Sequence, residues 1–307
     1  RPQCDLLLEL YCDALARHGK SGFIASAFPE LLPAQARDYL HARGVPALQG
    51  VEDGLAAWGR IATYQGQRQA LLARGEAALV PLAMGTASTA GVLLDEWQSK
   101  QALGEFGLPL PRGLLSTPQT ALVDAEGVGY PLVLKAVSSA LPHKTEAGGV
   151  ALNLRDAEQL QAALERMRRD LAEHAPTLAF DSVLLEAMAS PPLAELIVGV
   201  KREPGFGLAL VIGTGGILVE LLKDSRSLLL PSNDAAIRQA LLSLRSAPLL
   251  SGFRGRPAAD LDALVAAIRA VADYACEHAE RLLELDVNPL LVGTHGCVAV
   301  DALIRKV

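Results

Sequence analysis

The sequence predicts an α/β protein in which the tail of a doubly wound unit precedes a larger α+β region. In residues 6–64, short apolar runs alternate with stretches of helical apolar spacing, which is the β-α-β-α order of a doubly wound sheet. Residues 94–307 instead carry many apolar runs of strand length and two long amphipathic patterns. A chain of 307 residues is long enough for two such domains, each with its own core.

Glycine and proline mark the element ends in the first region. One helical pattern stops at Gly19, and a second starts at Pro33 and stops before Gly44. The expected helices and strands are helices over Leu6–Arg17, Pro33–Ala42 and Val51–Tyr64, and strands over Phe23–Phe28 and Val45–Leu48. Two strands are too few for a complete doubly wound domain, and the chain starts at Arg1 without a methionine. We therefore expect residues 1–66 to be the C-terminal part of a domain that begins upstream.

Residues 67–93 are expected to form a linker, and residues 94–307 the second domain. The stretch Ala77–Leu94 is uncharged and long enough to raise the question of a membrane span. Its proline, glycines and hydroxyl residues make it only weakly apolar, so we interpret it as linker. In the second domain, helices are expected over Asp95–Phe106, Asp156–Glu173 and Ala259–Arg281, and strands over Leu132–Ala136, Val150–Leu154, Val183–Glu186, Glu195–Val200, Leu208–Ile212, Ile217–Leu221, Leu283–Val287 and Cys297–Val300.

Charge and cysteine usage restrict the class of protein. The net charge of −6 and the pI near 5.6, without any basic run, argue against a nucleic-acid partner. The four cysteines lie near the two ends of the chain without a C-x-x-C pair, so neither a zinc site nor a disulfide framework is expected. No signal peptide is visible. We expect a cytoplasmic protein with reduced thiols and no membrane partner.

The segment that follows one predicted strand carries residues suited to phosphate. Lys135 ends an apolar run, where a half-buried ammonium group is costly unless it meets an anion. His143 and Lys144 follow in a loop that ends in Gly148 and Gly149, whose amides can approach a phosphate. A neutral imidazole is nucleophilic and can carry phosphate. The alternative is a lysine whose stem packs while its ammonium group reaches water, beside a solvated loop histidine.

Three polar residues near the end of the chain are candidate metal ligands. Asp286 and Asn288 lie in Leu285-Asp-Val-Asn-Pro-Leu290, and Asp301 follows the last predicted strand. Mg²⁺ prefers one or two such oxygen ligands together with phosphate oxygens and waters. We expect the three side chains on two adjacent strand ends, with Pro289 turning the chain between them. The alternative is an ordinary Asn-Pro turn with solvated acids.

Two glycine patterns fail to complete a nucleotide-binding motif. Gly213-Thr-Gly-Gly216 follows a predicted strand, but Leu218 occupies the last glycine position of G-x-G-x-x-G and no helix is expected there. We interpret this pattern as a turn that lets the backbone approach a ligand. Gly19-Lys20-Ser21 is not the end of a P-loop, because Ala14 stands at the position of the required glycine.

Taken together, the motifs resemble the ATP-grasp part of the NDP-forming (ADP-forming) acyl-CoA synthetases, which are relatives of succinyl-CoA ligase. The segments similar to signatures of that family are Leu94–Pro111, Pro142–Val150, Val198–Gly207, Gly213–Asp224, Gly252–Pro257 and Leu285–Leu290, in the family's order. The resemblance covers residues 94–307, and residues 1–66 resemble the end of the family's succinyl-CoA-ligase-like domain. It implies the tail of a doubly wound flavodoxin-like domain followed by an α+β ATP-grasp domain.

The resemblance also implies a set of functional residues. Those implied to bind the nucleotide are Lys135, Gly148, Gly149, Glu186 and Glu195. Those implied to hold Mg²⁺ are Asn288 and Asp301, and those implied to act in catalysis are His143, Asp286 and Glu220. The cofactors implied are ATP or ADP with Mg²⁺, and CoA is implied as a substrate.

The implied roles differ within this set. Glu186 would border adenine in a hinge, and Glu195 would face the ribose. His143 would relay phosphate between a distant histidine and the nucleotide, and Asp286 would support it. In one departure from the family pattern, an expected arginine is displaced by two residues to Arg226. If that segment is a strand, both positions share one face and Arg226 can substitute.

The implied function is that of an ADP-forming acyl-CoA synthetase, with this chain as its nucleotide-binding portion. A small carboxylate, ATP and CoA give acyl-CoA, ADP and phosphate through acyl phosphate and phosphohistidine. The expected partners are upstream CoA-binding and ligase domains, in the same polypeptide or in a partner subunit, within an oligomer. The alternatives are a ligand-sensing regulatory module of a protein lysine acetyltransferase and a structural fragment. Retention of His143, Asn288 and Asp301 favours the enzyme.

Overall fold

The computed structural model describes residues 3–74, 91–138, 144–145, 147–176, 179–216 and 224–307. The chain divides into two compact units, Arg1–Val80 and Pro81–Val307. Within the described ranges, none of the helices combines the length and the apolar character needed to span a membrane.

The first unit pairs two short strands in parallel. Its elements are α1 (Gln3–His18), β1 (Ile24–Ser26), a 3-10 turn (Pro29–Leu31), α2 (Ala34–His41), β2 (Ala47–Gln49) and α3 (Val51–Arg74). The parallel pairing of β1 with β2, joined through α2, agrees with the predicted β-α-β order. A small core of Cys12, Leu32, Leu40 and Val45 supports it. That this unit belongs to a flavodoxin-like domain remains a prediction.

The helix expected to end at Tyr64 is longer than predicted. α3 continues to Arg74, through a segment that we expected to begin the linker. Gly66 is the only weak helix former between Gln65 and Arg74, and one glycine costs about 1 kcal/mol, which does not end a helix of this length. The division into residues 1–66, 67–93 and 94–307 remains a prediction.

The second unit contains a four-stranded antiparallel sheet, which we call the small sheet. Its strands, in spatial order, are β4 (Gly113–Ser116), β7 (Val183–Ala187), β5 (Leu132–Ala136) and β6 (Val150–Leu154). The bounds of β5 and β6 are those predicted. The helices α5 (Ala121–Val128) and α6 (Ala157–His174) pack on one face of this sheet, with Leu160, Leu164 and Met167 of α6 in the shared core.

The other sheet of the second unit, which we call the large sheet, is also antiparallel. Its described strands, in spatial order, are β10 (Ser225–Leu229), β9 (Gly207–Thr214), β8 (Ala194–Glu203), β11 (Leu282–Gly293), β13 (Ala302–Lys306) and β3 (Val92–Leu93), and β12 (Gly296–Ala299) pairs with β11. The associated helices are α4 (Glu96–Gly104), α7 (Asp234–Leu242), α8 (Ala247–Ser251) and α9 (Leu261–Glu277). Apolar side chains of these helices and of one sheet face form a common core.

The expected turn at Pro289 is wrong. β11 runs without interruption from Leu282 to Gly293, and its pairing with β8 shifts register between Val287 and Leu290. A proline cannot donate to the ladder and is tolerated at such an irregularity. The local sequence reads as a turn, but pairing on both edges keeps the segment extended. The strand expected over Ile217–Leu221 lies outside the described residues.

Candidate active site

The two sheets of the second unit face each other across a cavity of about 380 Å³. Residues 188–192, which follow β7, line one part of it. Among its lining residues, the small sheet contributes Val133, Lys135 and Glu186, and the large sheet contributes Glu195 and Leu291, with Asp301 beside them. Lys135, Glu186, Glu195 and Asp301, predicted from distant parts of the sequence, therefore share one cavity.

Strand alternation explains why these side chains reach the cavity. Leu132, Leu134 and Ala136 of β5 enter the core beneath α5 and α6, so Lys135 points to the opposite face. Lys135 lies opposite Leu184 of β7, so Glu186, two residues on, shares its face. The apolar run therefore forms the predicted strand, and Lys135 lies on the face of the small sheet opposite α5 and α6.

The Lys135 ammonium group belongs to a buried charge cluster centred on Glu96. Glu96 Oε1 accepts from Lys100 Nζ at 2.7 Å and from Lys135 Nζ at 2.6 Å. Glu96 Oε2 accepts from Lys144. Glu186 accepts from Lys100 at 2.7 and 2.8 Å and pairs with Lys135 at 2.9 Å. The side chains of Glu96, Lys100 and Glu186 are at most 4% exposed.

The cluster sets the protonation of its members. Burial alone would raise the pKa of the Glu96 carboxyl, but Lys135, Lys100 and Lys144 outweigh burial and hold this pKa at about 2. Burial alone would lower the pKa of Lys135, but Glu96 and other nearby carboxylates keep this pKa above its ordinary value. Both groups are therefore charged at neutral pH.

The Lys135 ammonium group is already engaged by acceptors of the protein. Besides its contacts with Glu96 and Glu186, its Nζ donates to the carbonyl oxygen of Val300 at 2.5 Å. An ammonium group has three donors; two of them are used by Glu96 and Val300, and the Glu186 carboxylate lies beside the group as an ion pair. A phosphate oxygen that bonds to Lys135 would therefore compete with acceptors that the protein already supplies.

The three candidate metal ligands lie together on the large sheet. Leu285 and Val287 enter the core, so Asp286 points to the opposite face, where its carboxyl bonds to the Asn288 side chain. Burial, Glu284 and Asp301 raise the pKa of Asp286 to about 6 despite that bond. Carboxylate and amide oxygens are the donors that a hard cation such as Mg²⁺ prefers. Within the described ranges, no group of three or more His, Cys, Asp or Glu side chains could hold a metal.

The glycines of the candidate loop contact protein atoms. A Cβ at Gly148 would lie 2.7 Å from the Asp170 Cβ, and the φ angle of Gly148 is +74°. Its N–H donates to the carbonyl of Thr145 at 3.2 Å, and the Gly149 N–H donates to that of Lys144 at 2.7 Å. Contact of these amides with a phosphate stays a prediction, and it requires these bonds to open.

The glycine turn after β9 approaches the protein backbone. Gly215 N donates to the carbonyl of Glu195 at 2.7 Å, and a Cβ at Gly215 would meet the same backbone at 3.0 Å. The turn therefore fixes Glu195 at the cavity wall. The hypothesis that its backbone also approaches a ligand remains untested.

Other predicted residues do not line the cavity or cannot be placed. Arg226 lies on a strand, as supposed, but its guanidinium donates to the side chain and carbonyl of Ser243 after α7. Arg226 is not among the residues that line the cavity. His143 and Glu220 lie outside the described residues, so their roles stay predictions.

Sequence reasoning missed Glu96 and Lys100, although they form the centre of the cluster. They are four residues apart in α4, a spacing usually read as an exposed ion pair. The available signal was the capping box at Asp95, in which Asp95 and Gln98 bond reciprocally at 2.8 and 3.3 Å. It predicts where the helix begins and which turn carries Glu96, but not that this turn is buried.

The residues that line the cavity belong to a stretch of the chain that matches a known domain family. The model of the ATP-grasp domain matches residues 86–305. The beta subunit of an ADP-forming acetate–CoA ligase II from Pyrococcus furiosus is 34% identical over 212 residues, covering 68% of this chain and 89% of that subunit. A trans-feruloyl-CoA synthase from an unknown prokaryotic organism is 32% identical over 276 residues, covering 89% of this chain. The chain spans only 38% of the length of that synthase.

A solved structure shares the fold of the second unit. The dinucleotide forming acetyl-coenzyme A synthetase 1 of Ca. Korarchaeum cryptofilum, in complex with coenzyme A, Ca-AMPCP and HgCl⁺, gives a TM-score of 0.67 at 30% identity. The match covers 70% of this chain and 93% of that chain. In its complex with coenzyme A and Mg-AMPPCP, the phosphohistidine segment points towards the nucleotide binding site; the TM-score is 0.60 at 28% identity, over 69% and 92% of the chains.

The Glu96 cluster predicts a specific dependence of stability on pH. Its folded pKa of about 2 lies below the ordinary 4.5, so the charged carboxylate stabilises the fold above pH 4.5, and this contribution is lost as the pH falls through 2. The difference corresponds to about 3 kcal/mol. Between pH 4.5 and 2, the free energy of unfolding should therefore depend more strongly on pH in the unmodified chain than in Glu96→Gln.

The measurement is denaturant unfolding at several pH values, followed by the fluorescence of Trp97 in a Trp58→Phe background. Glu203→Gln is the matched control, because Glu203 forms an exposed pair with Lys201. This control should follow the unmodified profile. Parallel profiles for Glu96→Gln and the unmodified chain would contradict the prediction.

Proposed function

Since the chain belongs to the ATP-grasp domain family and aligns with beta subunits of ADP-forming acetate–CoA ligases, we propose that it is the nucleotide-binding portion of an ADP-forming acyl-CoA synthetase. The complete enzyme joins a small carboxylate to CoA and converts ATP to ADP and phosphate. The observation that carries the proposal is the single cavity shared by Lys135, Glu186, Glu195 and Asp301.

The cavity offers different chemistry along its walls. Val133, Met188 and Leu291 supply an apolar surface suited to a nucleotide base. Glu195 lies on the same wall, in register with Leu291, and we assign it to the ribose. We assign Glu186, near the end of β7, to the border of the base. Its carboxylate is bound by Lys100 and Lys135, so the contact with the base would come from the rest of the residue.

The part of the cavity near Lys135 and Asp301 suits phosphates and a metal ion. Lys135 contributes positive charge there, and Thr145 lines the wall. Asn288 and Asp301 would hold Mg²⁺, with the Asp286 carboxylate beside them. When bound, Mg²⁺ neutralises part of the charge on the phosphate oxygens.

The phosphoryl relay assigned to His143 rests on the sequence resemblance. His143 precedes Lys144, and the Lys144 ammonium lies at Glu96, beside the Asp301 end of the cavity. In this relay the histidine would accept phosphate from a nucleotide and pass it to an acyl group elsewhere. CoA-binding and ligase domains, fused or in a partner subunit, would supply the acyl chemistry in a cytoplasmic oligomer.

The acetyltransferase-linked sensor finds no support. The relatives reported above are a ligase subunit and a synthase. The buried lysine and carboxylate cluster is also complete, with every ammonium group paired.

Replacing Lys135 tests nucleotide binding. Lys135→Ala should weaken Mg-ADP binding by about 1.5–3 kcal/mol, the size of a hydrogen bond to a charged group. Isothermal calorimetry measures the affinity, and circular dichroism verifies the fold, because Lys135 also neutralises two buried carboxylates. Lys201→Ala is the control for loss of one positive charge. Unchanged affinity in a folded Lys135→Ala protein would refute the assignment.

Replacing Asp301 tests the metal site. Asp301→Asn keeps the shape but removes one anionic ligand, so the Mg²⁺ concentration needed for ADP binding should rise. The measurement is a Mg²⁺ titration at fixed ADP, with Asp260→Asn at the start of α9 as the control. An Asp301→Asn titration that overlays the unmodified one would place the metal elsewhere.

Replacing His143 tests the relay. His143→Asn keeps a polar side chain without the nucleophilic nitrogen, so acyl-CoA formation should be abolished in a preparation that contains the ligase domains. Nucleotide affinity should change by less than about 1 kcal/mol, because the imidazole reacts but does not bind. The phosphorylated peptide should be acid-labile and base-stable. Normal turnover of His143→Asn would make the histidine an ordinary loop residue.

A further inference from the structure

Lys144 lies between a buried carboxylate and an accessible one. Its ammonium group donates to Glu96 Oε2 and, at 3.3 Å, to Asp301 Oδ1. The Lys144 side chain is 11% exposed and the Glu96 side chain 1%, whereas that of Asp301 is 39% exposed. Solvent and small ions can therefore reach Asp301, although a cation already meets its charge.

The two contacts of Lys144 differ in strength for a physical reason. The Glu96 carboxylate is shut off from water, so losing an ammonium partner there leaves buried charge uncompensated. The contact with Asp301 is longer and partly solvated, and exposed ion pairs contribute little. The Lys144 ammonium group can therefore lose its contact with Asp301 at a small cost in free energy while it keeps its hydrogen bond to Glu96.

The structure assigns Lys144 as the resident counter-ion of Asp301, and we infer that this ammonium group competes with Mg²⁺ for the carboxylate. This inference rests on the proposed function, because it takes Asp301 as a metal ligand. Mg²⁺ binds carboxylate oxygens at about 2.0–2.1 Å, so an ammonium group bonded to the same carboxylate is repelled by the ion. Metal–nucleotide binding and the Lys144–Asp301 contact therefore oppose each other.

Charge balance in the cluster supports this exchange. The ammonium groups of Lys100, Lys135 and Lys144 face the carboxylates of Glu96, Glu186 and Asp301, and these six charges cancel. Mg²⁺ arriving with the phosphates of a nucleotide brings its own counter-charge. Lys144 can then leave Asp301 for the phosphate side without creating an unpaired buried charge.

The test is a Mg²⁺ titration of the full chain at a fixed ADP concentration, in which calorimetry monitors ADP binding. Removal of the competing cation in Lys144→Gln should lower the Mg²⁺ midpoint by about two- to fivefold, the range of a partly exposed ion pair. Lys144→Arg keeps a cation and should keep the unmodified midpoint. Lys201→Gln, which removes an exposed lysine of β8, should also leave the midpoint unchanged.

A double replacement makes the competition specific to Asp301. In an Asp301→Asn background, Lys144→Gln should produce no further shift of the midpoint, because the carboxylate under competition is gone. Lys144→Met provides the same test without a polar group if Lys144→Gln does not fold. ADP affinity at saturating Mg²⁺, measured separately, reveals any direct phosphate contact of Lys144.

The outcomes separate this inference from the proposed function. An unchanged or higher Mg²⁺ midpoint in folded Lys144→Gln, with normal Mg-dependent ADP binding by the unmodified chain, overturns the inference alone. An equal shift in the presence and absence of Asp301 also overturns it. Failure of the unmodified chain to bind Mg-ADP overturns the proposed function and the inference together.

Discussion

The Glu96 carboxylate, shared by three ammonium groups, is the constraint on which the candidate site depends. An isolated carboxylate at 1% exposure would cost several kcal/mol, so its partners must be held in place by the fold. Lys100 comes from the same helix, Lys135 from β5 and Lys144 from the loop before β6. Glu96 also lies in the first turn of α4, where the helix dipole favours negative charge. The cap at Asp95 thus fixes the position of the Glu96 carboxylate, which binds the three lysines of the site.

The same contacts join the two sheets. Lys135 belongs to the small sheet, yet it donates to the carbonyl of Val300, which precedes Asp301 beside the large sheet. One side chain of the small sheet is therefore bonded to the backbone that leads into Asp301. The apolar cores of the two sheets lie behind these contacts and leave the facing surfaces to charged residues. A change that loosens Lys135 would disturb its contacts with Glu96, Glu186 and Val300 together.

Features that depend on neighbouring residues in the sequence were mostly predicted correctly, whereas several features that depend on distant contacts were not. The continuous apolar run of β5 predicted a strand with the bounds observed, and the family signatures predicted an ATP-grasp domain, which the family match confirms. The turn at Pro289 failed because pairing of β11 with strands on both sides outweighs the turn preference of Asn-Pro. The burial of Glu96 and Lys100 could not be predicted, because Glu186 lies 86 residues from Lys100 and Lys135 lies 39 residues from Glu96. No pattern within a helix indicates such a contact.

The glycines and Lys135 illustrate one further limit of sequence patterns. A glycine beside a predicted site indicates close approach of some atom, but Gly148 meets Asp170 and Gly215 meets the backbone of Glu195. A lysine at the end of an apolar strand indicates a nearby anion, and here the anions are the protein's own carboxylates. Phosphate binding at Lys135 therefore competes with acceptors that the protein already supplies. The contribution of Lys135 to affinity is for that reason not expected to exceed one hydrogen bond to a charged group.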